Sequence, residues 1–264
     1  LKYVAFLDIL GFKARLKELG QTESERYISR FSSTVYSVFC DANRLIEGFI
    51  VSDSIVLNTK DTSKESLKEL INVIDEICKR EFSSNSILIR GAIAKGYFES
   101  MPAVGLSNLR KELIVGQAYV DAYKLESTIK TTGIILAQEV YEDMLEAGIN
   151  TENIIDENDS TYLYRFITLD FLLDLYNVSN FISLAKESEW KQHYYNTLYF
   201  ALQKERNDNK VNQLFENILD SICKYQPSEN WRDIDIFIKN AFADGVNANF
   251  QKRFLHFIRN KFFN

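Results

Sequence analysis

Apolar and polar positions change period repeatedly along the first two thirds of the chain. Residues 3–7 form a compact apolar run closed by Asp8 and Gly11, as in a short buried strand that ends in a turn. From about Phe12 to Leu45 the spacing is helical, with a break near Gly20. Thr22 or Ser24 is placed to cap the second part, which carries Tyr27, Phe31, Val35 and Val38 on one face. Phe49-Ile50-Val51 and Ile55-Val56-Leu57 flank Ser52-Asp53-Ser54, which predicts a hairpin. Ser63 opens a helix with Leu67, Leu70, Ile71, Ile74 and Ile77 on one side, and residues 87–94 read as a long strand. Residues 98–112, with Pro102 among them, read as a loop inserted after that strand. Residues 113–115 are then a short strand, 118–125 a helix, 134–136 a strand, 138–145 a helix and 162–166 a strand.

The predicted order is β-α-β-β-α-β followed by further strands and helices. That order is the ferredoxin-like plan, an α+β fold in which helices cover one face of an antiparallel-rich sheet. After about residue 170 the pattern is helical and aromatic, through Trp190, Tyr194, Tyr195, Tyr199 and Phe200, then Leu214, Ile218 and Ile222. Pro227 marks a break. Ile234, Phe237, Ile238 and Phe242 follow, then Phe250, Phe254, Phe257 and Ile258. Three or four helices are predicted there, as a bundle on the core or as a dimerisation arm. The expected division is a core at 1–168 and a C-terminal α-helical extension at 169–264.

Composition narrows the chemistry. In 264 residues, 31 Lys+Arg stand against 37 Asp+Glu, a net charge of −6, which disfavours a nucleic-acid polymer as partner. A Ser-His-Asp triad would have to use His193 or His256, and a Cys/His zinc site would need nearly every Cys and His in the chain. Cys40, Cys78 and Cys223 are odd in number and widely spaced, which fits buried thiols in a reducing compartment. The apolar runs are too short to span a membrane, and a soluble cytoplasmic protein is expected. The helix near the C-terminus carries Lys252, Arg253, Arg259 and Lys261 among aromatics. Its aromatic side is expected to pack on the core, with the basic side in water and no membrane as partner.

Two acids stand in special places. Asp8 ends a strand just before Gly11 and a helix, where a carboxylate meets helix-terminal N–H groups. Asp53 sits in the predicted hairpin turn. In a ferredoxin-like sheet the first strand neighbours that hairpin, so the two acids converge. Converging carboxylates with few other ligands suit Mg²⁺ or Mn²⁺ held partly by substrate phosphates. An Asp at a strand end is equally a helix cap, and Asp-Ser is an ordinary turn, so from spacing alone both readings stand.

Five segments occur in the order seen in class III nucleotidyl cyclases, which residues 1 to about 168 resemble. These are Phe-Leu-Asp-Ile-Leu-Gly-Phe (6–12), Ile-Val-Ser-Asp-Ser (50–54), Ile-Arg-Gly-Ala-Ile-Ala-Lys-Gly (89–96), Gly-Gln-Ala-Tyr-Val-Asp-Ala-Tyr-Lys-Leu-Glu-Ser (116–127) and Thr-Gly-Ile-Ile-Leu-Ala-Gln-Glu-Val-Tyr (132–141). The resemblance implies that Asp8 and Asp53, with the Ile9 carbonyl, hold two Mg²⁺ or Mn²⁺ ions. The amides of Leu10, Gly11 and Phe12 would hold the triphosphate. It also implies a homodimer with each site at the interface, Asp8 and Asp53 from one subunit and Lys124 from the other.

Departures from the family pattern bear on the substrate. Purine cyclases carry a base-reading Lys where this chain has Phe49, and an Asp or Cys where it has Leu113. Their transition-state Asn falls on Val120 and their transition-state Arg on Lys124. The large apolar Phe49 narrows the base pocket. With both metal acids retained and Lys13 following the first motif, the chain is similar to the divergent bacterial cyclases of Pycsar antiphage systems. Those make cyclic UMP or cyclic CMP, so UTP or CTP is the implied substrate. Lys124 offers a point charge to phosphate where an Arg would offer a fork. Arg90 is a second candidate to face the ligand, its alternative being a structural ion pair. A catalytically inactive nucleotide sensor and a purine cyclase with an altered pocket are the competing expectations.

Overall fold

The computed structural model describes residues 1–41, 45–106, 109–157, 161–187, 191–203, 205–223, 231–241 and 248–262. Trp190, Pro227 and Phe242, singled out above, lie outside the described residues.

β1 (Lys2–Ile9) is the hub of the sheet. It pairs antiparallel with β3 (Ser54–Thr59) on one side and with β4 (Ile89–Gly96) on the other. β2 (Ile46–Val51) pairs with β3 at the edge. The order β2-β3-β1-β4 is that of a ferredoxin-like core, and the expected α+β plan is met. β7 (Gly133–Leu136) joins β4 in parallel, then β9 (Thr161–Tyr164) and β8 (Ile154–Glu157) complete seven strands. Gly91 is required where β4 lies against β1, because a Cβ there would stand 2.6 Å from the Phe6 carbonyl oxygen.

Alternation along β1 sends Tyr3, Ala5, Leu7 and Ile9 to one face and Val4 and Phe6 to the other. The first face receives α2 (Gln21–Asp41) and α3 (Lys64–Asn85), whose apolar stripes are those read from the sequence. Ser63 caps α3 by accepting from the Ser66 amide at 3.2 Å. α5 (Gln138–Glu146) lies on the same face through Val140 and Met144. The second face is not bare: α4 (Gln117–Glu126) lays Ala118 and Ala122 against Val4, Phe6 and Ala94.

Three expectations need correction. The stretch read as a loop is a hairpin, β5 (Glu99–Leu106) with β6 (Leu109–Val115), which forms its own two-stranded sheet. Both strands of such a ribbon are edges, so Pro102 costs it no interior ladder bond, although a proline suggests a loop. Residues 113–115 are the end of β6, and β8 was not read at all. Among the described residues six helices follow, where three or four were predicted: α6 (Leu169–Leu172), α7 (Leu175–Glu187), α8 (Lys191–Ala201), α9 (Asp208–Ile222), α10 (Trp231–Ala241) and α11 (Ala248–Phe262).

These helices pack on the core. One buried cluster runs without interruption from the sheet through Phe82 into Phe181, Tyr195, Phe215 and Phe254. Phe82 meets Phe171 edge-on at 5.4 Å between ring centroids. α8 buries Tyr194, Tyr195 and Phe200, and α11 buries Phe250, Phe254 and Ile258, so their aromatic stripes are core. Among the described residues no helix is long and apolar enough to cross a membrane. Cys78 and Cys223 are buried thiols, but Cys40 is exposed on α2, against expectation.

Candidate functional site

The sequence 8–12 builds the site locally. β1 stops at Asp8-Ile9. Leu10 turns inward, its amide donating to the Leu88 carbonyl at 2.8 Å. Gly11 then takes the left-handed conformation (φ 78°) that starts α1 (Phe12–Glu18). Opposite, the turn between β2 and β3 is tight, with Ser52 left-handed (φ 57°). A non-glycine residue there stores about 1 kcal/mol of strain or more. The Asp53 carbonyl accepts the Ile9 amide at 3.1 Å and locks this turn to the end of β1.

Asp8, Asp53 and Arg90 therefore surround one small cavity of about 150 Å³, together with residues 9–13. The predicted convergence of the two acids is thus present. Asp8 is half-buried, and its Oδ1 accepts the Ser54 hydroxyl at 2.9 Å. Burial raises its pKa from 3.8 to about 6; the Ser54 hydrogen bond opposes the rise, the Asp53 charge adds to it, and Arg90 opposes it. Arg90 stands directly across the sheet from Asp8. Its guanidinium forms an ion pair through Nε with Glu126 of α4, a carboxylate only 5% exposed. Burial raises the Glu126 pKa, and Arg90 opposes the rise. The two roles weighed for Arg90 coexist: it lines the cavity and it is ion-paired.

Leu10, Gly11 and Phe12 line the cavity, while Phe49, Leu113 and Lys124 do not. The Leu10 amide is engaged with Leu88, so it is not available to a triphosphate, which corrects that expectation. The first amides of α1 have no acceptor within the helix. Phe49 is half-buried in β2, on the face that carries Phe6 and Tyr119. Leu113 is 48% exposed on β6, and Lys124 is exposed on α4. None of these three lines the acid cavity. Tyr119 and Tyr123 pack edge-on against Phe6 at 6.1 and 5.2 Å. His193 is buried in α8, where burial lowers its pKa to about 4, and it does not line the cavity. Ser54 and Glu126 were missed by sequence reasoning. Ser54 is signalled only by its place beside Asp53. Glu126 is signalled by nothing local.

The donor set suits one class of ion. Two carboxylates at the end of a strand are hard oxygen donors, and the half-buried Asp8 beside Asp53 carries a like-charge cost that a cation would relieve. Among the described residues no group of three or more His, Cys, Asp or Glu side chains could hold a metal ion. The arrangement fits Mg²⁺ or Mn²⁺, which keep water and phosphate oxygens as ligands, better than a metal caged by protein.

No protein-family model matches the chain, and no curated protein matches it. Solved structures similar to it include the adenylyl cyclase CyaB from P. aeruginosa (15% identity, TM-score 0.48, covering 62% of this chain and 93% of that one). The guanylate cyclase domain of RhGC from Catenaria anguillulae, in complex with GTP, is also similar (15% identity, TM-score 0.47, covering 62% and 95%). So is the catalytic core of a rhodopsin-guanylyl cyclase with converted specificity in complex with ATPalphaS (16%, 0.48, 61% and 93%).

Proposed function

We propose that the protein is a nucleotidyl cyclase that converts UTP or CTP to the 3′,5′-cyclic monophosphate and pyrophosphate, a second messenger of bacterial antiphage defence. The observation that carries the reading is the meeting of Asp8 and Asp53 in one cavity, at the end of β1 and beside the first turn of α1. Residues 1–168 form the catalytic unit in this reading, and residues 169–264 support it from the sheet face they cover.

Asp8, Asp53 and the Ile9 carbonyl would hold two Mg²⁺ or Mn²⁺ ions. Bound there, the metal supplies Lewis acidity to the ribose 3′-hydroxyl and neutralises charge on the triphosphate. The chain does the rest by placement. Gly11 and Phe12 turn backbone amides toward phosphate oxygens. The terminal nitrogens of Arg90 stabilise the charge that grows as the 3′-oxygen attacks the α-phosphorus and pyrophosphate leaves. Lys124 is exposed and does not line the cavity of its own chain, which suits its use in the site of a second subunit. Val120, Tyr123, Leu113 and Val115 are exposed and would give a homodimer an apolar contact. Phe49 and Leu113 offer no polar group to a purine edge, which favours a small pyrimidine base read by packing.

Incubating the protein with each nucleoside triphosphate and Mn²⁺, and measuring pyrophosphate and cyclic product, tests this reading. Cyclic UMP or cyclic CMP is expected, with Asp8→Asn and Asp53→Asn each lowering turnover on the order of a thousandfold. Product from ATP or GTP alone would replace the pyrimidine reading with a purine one. No product from any nucleotide would leave a nucleotide-binding module, and a fully active Asp53→Asn protein would refute the paired-acid site.

A further inference from the structure

Arg90 has two carboxylates to choose between. Asp8 is its direct neighbour across β1 and β4, and Glu126 reaches it from α4. It pairs with Glu126. That carboxylate is fixed: its side chain is 7% exposed, and α4 is seated on the sheet through Ala118 and Ala122, both fully buried. The bond engages Nε and leaves both terminal nitrogens of the guanidinium outside it. Asp8 meanwhile accepts only a neutral hydroxyl, from Ser54, among the hydrogen bonds of its side chain described above.

A guanidinium on Asp8 would cover the carboxylate with a fixed positive charge and compete with any cation for the same oxygens. An arginine left without a carboxylate at this depth would turn to the nearest one, because an unpaired charge there is costly. We propose that Glu126 is a positioning residue that holds Arg90 off Asp8. Asp8 thereby stays open to a divalent cation, while Arg90 stays at the cavity wall with its terminal nitrogens available to phosphate. This inference rests on the reading of Asp8 and Asp53 as a cation site, and it adds the residue that keeps the site open in the absence of substrate.

The test is Mn²⁺ binding to nucleotide-free protein near neutral pH, by the paramagnetic resonance signal of free Mn²⁺ or by calorimetry. It needs no turnover. Wild type binds, and Asp8→Asn abolishes binding. Glu126→Gln frees Arg90 to move onto Asp8 and weakens Mn²⁺ about tenfold, the scale of losses when a residue supporting a metal ligand is changed. Arg90→Gln removes the competitor and binds at least as tightly as wild type. The pair Arg90→Gln/Glu126→Gln keeps the net charge and returns affinity to within about threefold of wild type. If Asp8→Asn leaves Mn²⁺ binding intact, the cation site itself fails. If Asp8→Asn abolishes binding but Glu126→Gln binds like wild type, the positioning role alone is overturned. Weaker binding by Arg90→Gln also overturns it, and this arm does not depend on how Glu126→Gln folds. A double variant as weak as Glu126→Gln would show that Glu126 acts by another route.

Discussion

Where the C-terminal helices meet the sheet, Arg165 is only 8% exposed, yet it donates to the carbonyls of Phe200 at 2.7 Å and Gln203 at 3.3 Å. Beside it, Thr197 of α8 bonds the hydroxyls of Thr131 and Thr132 at 3.0 and 2.9 Å and accepts the Thr132 amide at 3.1 Å. At the cavity by β1, burial acts on a carboxylate instead. Asp8 is desolvated next to Asp53, with one neutral hydroxyl for company and its nearest arginine given to Glu126. At the junction Arg165, Thr131, Thr132 and Thr197 are buried as matched donors and acceptors and give a fixed attachment. The cavity instead leaves Asp8 short of the hydration it lost on burial, with the Asp53 charge adding to that cost. Polar burial of the first kind serves the fold, and burial of the second kind is what the proposed cation site calls for.

The largest effect that can break this contrast belongs to the junction. Arg165→Leu strips several carbonyls of their donor at once, and buried groups left unsatisfied cost about 1–3 kcal/mol each. A loss of about 3 kcal/mol is expected, a fall in Tm of about 6–12 °C for a chain of this size. Thr197→Val, which leaves the buried Thr132 amide without its acceptor, should lose about half as much. Denaturant melts followed by circular dichroism measure both. If either variant unfolds like wild type, the junction is a passive contact and the contrast with the cavity collapses.

The two regions were also unequally readable in the sequence. Asp8 and Asp53 stand out because an acid that closes an apolar strand, and an acid in a tight hairpin turn, break a local pattern. The β1–β3 neighbourhood follows from the βαββαβ order. Glu126 breaks no pattern: it is one polar residue on a polar helix, and its partner Arg90 is 36 positions away. Ser54 and Asp8 are 46 apart. Arg165 and the three threonines look like ordinary surface residues until the tail folds over them. The β5–β6 hairpin was hidden because it is a ribbon of two edge strands, separate from the main sheet, and its Pro102 suggests a loop. The α6–α7 stretch was hidden because its apolar stripe is filled by residues of many sizes between strong aromatic signals.

A smaller effect, opposite in sign, tests the cavity. Asp8 has a folded-state pKa of about 6, above its ordinary 3.8. A carboxyl raised in this way binds protons more tightly in the folded protein, so its cost to stability is complete above pH 6 and fades as pH falls from 6 to below 3.8. Asp8→Asn keeps the Ser54 contact without the charge. It should therefore stabilise the metal-free protein at pH 8 by about 1 kcal/mol, allowing for solvent at the cavity mouth, with the gain shrinking as pH falls below 6 and vanishing below the ordinary carboxyl value of 3.8. Tm measured across this range checks it. A variant that is less stable than wild type at pH 8 would mean that Asp8 is satisfied where it stands, and that the cavity resembles the junction after all.

The finest test concerns the one favourable bond Asp8 has. The Ser54 hydroxyl lowers the Asp8 pKa against the pull of burial, so Ser54→Ala should let it rise further. A hydrogen bond to a half-buried charge in contact with water is worth about 1 kcal/mol or less, which moves a titration midpoint by about half a pH unit. A cation competes with the proton for the same carboxylate, so the midpoint pH for Mn²⁺ binding should rise by that amount, while affinity well above it stays near wild type. Calorimetry across pH 5–8 separates the two quantities. An affinity loss at every pH would make Ser54 part of the cation's own surroundings. A shift confined to the midpoint would leave it as the bond that holds Asp8 charged in a place where burial favours the neutral form.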